Sequence, residues 1–124
     1  MKSWTADELS AIGEAEELEI AGLQRDGTLR KLVTIWVVRH GDGLYVRSVK
    51  GTRAGWFRGT QEQHTGRIWA GGVEKDVDFV VETDPAINDA LGPIYETKYQ
   101  HEAQWVPPVL TPTARAATLK IVPR

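Results

Sequence analysis

The chain has 124 residues, 41% apolar and 26% charged, and this composition fits one soluble globular domain over residues 1–124. Its 15 basic and 17 acidic residues give a net charge of −2, which argues against general nucleic-acid binding. It has no cysteine, so disulfides and thiolate chemistry are excluded. No segment resembles a membrane span or a signal peptide, and we expect a cytoplasmic protein that does not bind membranes.

The first element is predicted to be a short amphipathic helix. Thr5-Ala6-Asp7-Glu8 has the pattern of a capping box, in which the Thr5 hydroxyl and the Glu8 carboxylate each accept a backbone N–H of the other residue. Leu9 and Ile12 form its apolar face, and Gly13 is expected to end it.

Three strands are predicted next, and we expect them to form an antiparallel meander. Residues 18–23 are short and β-like, and the turn signal Asp26-Gly27 follows them. Residues 30–38 form the strongest strand pattern, apolar on both faces, which predicts a central strand covered on both sides. The turn at residues 40–43 leads into an alternating strand over residues 44–49.

The middle of the chain reads as a glycine-containing loop, a short helix and two more strands. The loop covers residues 50–55, and residues 56–61 are predicted to be helical. A fourth strand is expected over residues 67–71, and a fifth around residues 77–82, where apolar and acidic residues alternate.

The C-terminal third begins with a helix and ends with a strand. Asp84-Pro85 is a helix start, and Gly92-Pro93 is expected to interrupt that helix before Tyr99. Residues 105–108 are predicted to be a rigid extended linker, and residues 118–122 a sixth strand. Six antiparallel strands with short helices predict a mainly β protein whose sheet closes into a small barrel.

The most distinctive stretch is residues 44–58. It carries four cations, and no Asp or Glu occurs between Asp42 and Glu62. Arginine and lysine side chains, glycines and a helix start are the groups that bind phosphate, and aromatic residues can flank a planar ring. The predicted anion and cofactor site consists of Arg47, Ser48, Lys50, Gly51, Arg53, Trp56, Arg58 and Trp69. The alternative is that the cations pair with surface acids and that Trp56 anchors the loop in the core.

Other chemistries lack a pattern in the sequence. The three histidines His40, His64 and His101 are far apart in the chain, so no metal site is predicted. There is no nucleophile elbow, no dinucleotide fingerprint and no Walker loop, and we assign no catalytic residue.

Several segments together resemble a small bacterial family of unknown function. They are Ile35-Trp36-Val37-Val38-Arg39, Leu44-Tyr45-Val46-Arg47-Ser48, Lys50-Gly51, Gly55-Trp56-Phe57-Arg58, Gly66-Arg67-Ile68, Asp76-Val77, Tyr95-Glu96-Thr97-Lys98-Tyr99 and residues 118–123. That family is similar to the split β-barrel flavin-binding proteins, which include pyridoxamine-phosphate oxidases and deazaflavin-dependent nitroreductases.

The resemblance implies a split β-barrel of the FMN-binding type, a homodimer, and FMN or a deazaflavin as cofactor. Ser48-Val49-Lys50-Gly51 and Trp56 resemble the segment that holds the cofactor in deazaflavin-dependent relatives. Arg58-Gly59 stands where those relatives have Asn-Leu, so the pattern is kept in part. The expected function is a flavin- or deazaflavin-binding protein and possible oxidoreductase. The alternative is a non-enzymatic small-molecule-binding or structural member of the fold with no cofactor.

Overall fold

The computed structural model describes residues 3–124, which form seven strands and four α-helices. The strands are β1 (Leu18–Gly22), β2 (Val33–Ile35), β3 (Val38–His40), β4 (Gly43–Arg47), β5 (Thr65–Ala70), β6 (Val73–Val81) and β7 (Thr118–Pro123). The helices are α1 (Ala6–Glu14), α2 (Gly55–Gln63), α3 (Pro85–Lys98) and α4 (Pro112–Ala116). Three 3₁₀ segments cover Gly51–Arg53, Gln100–Trp105 and Pro107–Leu110.

The strands form one antiparallel sheet in the order β2-β1-β5-β6-β7-β4-β3, curled into a half-barrel. The predicted fold class, a mainly β split barrel with short helices, is confirmed. The predicted count of six strands is wrong, because the segment expected to be one strand over residues 30–38 forms two.

That segment also explains why the predicted central strand and meander are wrong. The chain leaves β2 after Ile35 and enters β3 at Val38, and these two strands are the opposite edges of the sheet. Between them, the Trp36 ring stacks on Tyr99 with centroids 3.8 Å apart, and the Val37 N–H donates to the Tyr99 hydroxyl at 3.2 Å. The run is apolar on both faces because its alternate residues pack into two different core clusters, and not because it lies mid-sheet. Val33, Ile35 and Val37 pack into one cluster. Trp36 and Val38 pack into the other, together with residues of α3.

Helix α1 begins as predicted. The Glu8 N–H donates to Thr5 Oγ1 at 3.1 Å and the Thr5 N–H donates to Glu8 Oε1 at 2.9 Å, which completes the capping box. The helix continues through Gly13 to Glu14, one residue beyond the predicted end, since Gly13 keeps an ordinary helical backbone and packs against the side chain of Arg39.

Two expectations for the C-terminal third are corrected. Helix α3 is continuous through Pro93, with Leu91 and Tyr95 fully buried on either side of it, so packing offsets the backbone hydrogen bond that proline removes. The segment predicted to be an extended linker is folded into 3₁₀ turns, in which Pro107 takes a first-turn position and Val106 is buried.

Two apolar clusters form the core. The larger fills the inside of the curled sheet beneath α1 and α2 and includes Leu18, Ile68 and Phe79. The smaller packs α3 and the 3₁₀ segments against β3 and β4, and includes Tyr95 and Tyr99. A cleft opens where these two packing layers meet.

Candidate functional site

The cleft has a volume of about 780 Å³ and lies beside the outgoing end of β4. One wall is β2 and the crossing after it, residues 33–36. The opposite walls come from residues 47–50, from residues 54–56 at the start of α2, and from the 3₁₀ segments that carry Trp105 and Val109. Because β2 is an edge strand, its outer backbone groups have no strand partner there.

Three tryptophans give the cleft an aromatic lining. Trp36 and Trp56 are half-buried in its walls, and Trp105 is 60% exposed at its rim. A cleft of this size with apolar walls and few polar groups has the character of a small-molecule site.

Arg47 lies at the base of this cleft and is only 5% exposed. Its Nε donates to Thr118 Oγ1 at 2.9 Å, and its Nη1 donates to the Val109 carbonyl at 3.0 Å. Its Nη2 donates to the backbone and side-chain oxygens of Asn88 at 3.0 and 3.2 Å. Within residues 3–124 no carboxylate pairs with this guanidinium, and burial lowers the pKa of Arg47. Arg47 therefore ties β4 to β7, α3 and the 3₁₀ segment while it keeps an uncompensated positive charge.

Two buried hydroxyls that belong to the cleft walls have no hydrogen-bond partner. They are Ser48 Oγ, in a side chain that is 1% exposed, and Tyr95 Oη, in a side chain that is fully buried. Burial raises the pKa of Tyr95 far above its ordinary value, so its hydroxyl stays protonated and remains a donor. A buried hydroxyl without a partner costs about 1–3 kcal/mol, and the cost is removed when a ligand supplies an acceptor.

The start of α2 adds backbone donors to the same cleft. Its N-cap residue is Ala54, no side chain caps it, and no acid lies in its first turn. The first amides of a helix have no acceptor within the helix and favour anions. Lys50 is exposed beside this helix start, and Gly51 (φ +78°) turns the chain against Thr113.

The structure brings together part of the predicted site. Arg47, Ser48, Lys50 and Trp56 all line the cleft, and Gly51 shapes the turn beside it. Three predicted residues do not line it. Arg53 is exposed on the 3₁₀ turn at Gly51–Arg53. Arg58 lines a separate cleft of about 500 Å³ with Arg30 and Glu62. Trp69 lies on β5, where its indole N–H donates to Glu74 of β6.

Sequence reasoning did not assign Tyr95, Trp36 or Trp105 to the site. Tyr95 reads as a core residue by its helical spacing, and only the missing partner of its hydroxyl distinguishes it. Trp36 sat within an apolar run, and Trp105 within a supposed linker. The described residues contain no cluster of three or more His, Cys, Asp or Glu that would hold a metal ion. No helix in residues 3–124 has the length and apolarity to cross a membrane.

Comparison with solved structures identifies the class of fold to which this chain belongs. The chain is similar to a putative pyridoxamine 5'-phosphate oxidase from Listeria innocua, with a TM-score of 0.61 and 13% identity over 94% of this chain and 88% of that one. It is similar to an F420 reductase (TM-score 0.55, 18% identity, 94% and 90% covered) and to a FAD-binding protein from Mesorhizobium loti (TM-score 0.54, 13% identity, 98% and 90% covered). The fold is therefore that of the split-barrel flavin-binding proteins.

Within that class, the family model described as "Uncharacterized protein conserved in bacteria (DUF2255)" matches residues 8–121. The chain belongs to this family, which confirms the resemblance found in the sequence. No curated protein matches the chain significantly.

Proposed function

We propose that the cleft binds a phosphate-bearing cofactor of the flavin or deazaflavin type, and that the protein is an oxidoreductase. The observation that carries the proposal is the convergence of anion donors on one end of an aromatic cleft. These donors are Lys50, the unpartnered hydroxyl of Ser48 and the uncapped start of α2.

The phosphate would lie at the α2 end of the cleft. Free helix amides and a lysine are donors that bind phosphate, and Ser48 Oγ has a proton to donate and no acceptor among the described residues. Arg47 has a different part, because protein oxygens already accept four of its hydrogen bonds. It contributes a positive field from beneath the cleft and holds the wall in place.

The ring system would lie among the tryptophans. Trp36 and Trp56 offer flat apolar surfaces on two walls, and Trp105 at the rim covers the mouth from solvent. When such a cofactor is bound it supplies the hydride chemistry, and the protein orients it and limits the access of water.

The direct test is the visible absorbance of the purified protein, before and after addition of FMN, FAD or F420. Binding of one of these at micromolar concentration is expected. Lys50→Ala should weaken that binding about tenfold, since it removes one charged phosphate contact. Lys31→Ala is the matched control, because Lys31 is an exposed lysine outside the cleft lining and its loss makes the same charge change.

The alternative is a binding or structural protein of the same fold that does not use a flavin. The hydrogen bonds of Arg47 favour it, because protein oxygens already accept four of them and that arginine has little left to offer a phosphate. If none of the three cofactors co-purifies or binds, the oxidoreductase proposal is abandoned in favour of this alternative.

A further inference from the structure

We propose that Tyr95 is a ligand-binding residue, whose hydroxyl donates a hydrogen bond to a carbonyl oxygen on the ring system of the bound cofactor. This rests on the proposed function, and it assigns the ring end of the cofactor to the α3 side of the cleft.

Two tyrosines lie one turn apart at the end of α3, and their hydroxyls differ in their hydrogen bonds. The Tyr99 hydroxyl donates to the Glu16 carbonyl at 2.8 Å and accepts the Val37 N–H at 3.2 Å. The Tyr95 hydroxyl has no partner, although both side chains are fully buried. Tyr99 is a satisfied core tyrosine, whereas Tyr95 lacks an acceptor and lines the cleft.

The surroundings of the Tyr95 hydroxyl define the chemical character of its missing partner. Tyr95 keeps its proton because it is buried, so its hydroxyl has a hydrogen bond to donate and an acceptor opposite it would satisfy that proton. The Arg47 guanidinium lies 5.6 Å from the centre of the Tyr95 ring and has no carboxylate partner among the described residues. A positive field of this kind favours an oxygen with partial negative charge, and carbonyl oxygens on the edge of a flavin ring have that character.

The acceptor for the Tyr95 hydroxyl would belong to the ring and not to the phosphate. Tyr95 belongs to the smaller core cluster, where it packs with Tyr99, and Tyr99 stacks on Trp36 in the cleft wall. The start of α2, which supplies backbone donors for a phosphate, packs through Ala54 and Trp56 against the larger cluster instead. On this grouping we assign the Tyr95 hydroxyl to the ring end of the ligand and the start of α2 to its phosphate end.

A comparison of FMN with riboflavin distinguishes contacts to the ring from contacts to the phosphate, because both ligands have the ring and only FMN has the phosphate. Dissociation constants for both ligands would be measured by fluorescence quenching for the wild-type protein, Tyr95→Phe, Lys50→Ala and Tyr99→Phe. Tyr95→Phe should raise the dissociation constants of FMN and riboflavin by the same factor, roughly threefold to tenfold for the loss of one neutral hydrogen bond. Lys50→Ala should weaken FMN and leave riboflavin unchanged.

Unfolding of the ligand-free variants gives a second readout. Tyr95→Phe removes an unpartnered buried hydroxyl and keeps the ring, so its midpoint of unfolding should be unchanged or higher. Tyr99→Phe removes satisfied hydrogen bonds, so its midpoint should fall while its affinity for both ligands stays near that of the wild type.

Three results would overturn the inference. If Tyr95→Phe binds both ligands as the wild type does, the hydroxyl serves an internal water and the inference is wrong, while the flavin proposal stands. If Tyr95→Phe weakens the binding of FMN and not that of riboflavin, the hydroxyl contacts the phosphate and the ligand lies in the cleft in the opposite orientation. If the wild-type protein binds neither FMN nor riboflavin and also fails with FAD and F420, the proposed function and the inference fall together.

Discussion

At the scale of single residues, Arg47 illustrates how a predicted phosphate ligand becomes a structural cross-link. The stretch of cations without acids predicted a site at the end of β4, but it carried no information on the distant oxygens of Asn88, Val109 and Thr118. Those acceptors lie 41 to 71 residues away in the sequence and meet Arg47 only after folding.

Arg47→Ala should therefore destabilise the protein strongly, and Lys50→Ala should not. The first change leaves buried oxygens without donors, and we expect a loss of about 2–4 kcal/mol in the free energy of unfolding. Lys50 is exposed, and its loss should change that free energy by about 0.5 kcal/mol or less. Urea unfolding of both variants checks this, and an equal, small effect would mean that Arg47 is free to bind ligand.

Lys98 is a second residue whose environment the sequence did not predict. Its ammonium donates to the Val37 carbonyl at 2.5 Å and lies 5.1 Å from the centre of the Tyr99 ring. Burial lowers the pKa of Lys98 to about 8, against a smaller opposing effect from Glu16. The lysine sits beneath the crossing between β2 and β3, and its charge is disfavoured there.

Stability should consequently rise with pH from about 8 toward the ordinary lysine pKa. In that window the folded protein has released the Lys98 proton and the unfolded chain still holds it, so raising the pH favours the folded state. Ionisation of Tyr95 and Tyr99 in the unfolded chain opposes this only near pH 10 and above, since burial raises the pKa of both.

The measurement is urea unfolding at pH 7.5 and 9.5 for the wild type and Lys98→Met. The methionine variant should lose the rise in stability between the two pH values, and Lys31→Met, at an exposed site, should keep it. A rise that persists in Lys98→Met would assign the effect to another group.

At the scale of elements, the sequence predicted where helices begin better than it predicted how far helices and strands continue. The capping box at Thr5 and the Asp84-Pro85 start both appear where expected, because each depends on neighbours within four residues. Helix α3 continues through Pro93, and residues 30–38 contribute to two strands instead of one. Both outcomes depend on packing against distant elements, which a local sequence pattern does not predict.

The turn between β5 and β6 provides a test of packing between elements. Gly71 (φ +56°) lies against α1, and a Cβ there would stand 2.1 Å from the Ala11 carbonyl oxygen. Gly72 (φ +81°) also has a left-handed backbone, but a Cβ there would enter open space. Both glycines have a left-handed backbone that would strain any larger residue, and they differ in the contact with α1.

Gly72→Ala should cost about 1–2 kcal/mol, from backbone strain alone. Gly71→Ala should cost about 2 kcal/mol more, because α1 must move away from the sheet. Thermal unfolding of the two variants, with circular dichroism to check helix content, measures the difference. Equal costs would show that α1 packs loosely on this turn.

At the scale of the whole molecule, the cleft lies between two packing layers, so a ligand that fills it contacts both. FMN at one hundred times its dissociation constant should stabilise the protein by about 2.7 kcal/mol, provided that the unfolded chain does not bind it. For a chain of this size the melting temperature should rise by roughly 10 °C. Differential scanning calorimetry with a range of FMN concentrations tests this, and a melting temperature independent of FMN would contradict it.

The class of fold was accessible from the sequence, whereas the arrangement of strands was not. Strand patterns and turn signals identified most of the β segments, since both depend on neighbouring residues. The edge positions of β2 and β3 depend on β7, which lies far away in the chain and pairs with both β6 and β4. The homodimer implied by the resemblance remains a prediction, and light scattering of the purified protein would decide it.

The interior position of β7 in the sheet has a consequence for how the fold is assembled. Without β7, the sheet consists of a four-stranded ribbon, β2-β1-β5-β6, and a separate hairpin, β3-β4, each with an unpaired edge. Thr118 also completes the hydrogen bonds of Arg47, and the carbonyl of Ile121 accepts the Trp4 indole N–H at 3.0 Å. The ribbon and the hairpin can therefore join into one sheet only when β7 pairs with both, and the cleft between them takes shape at that step.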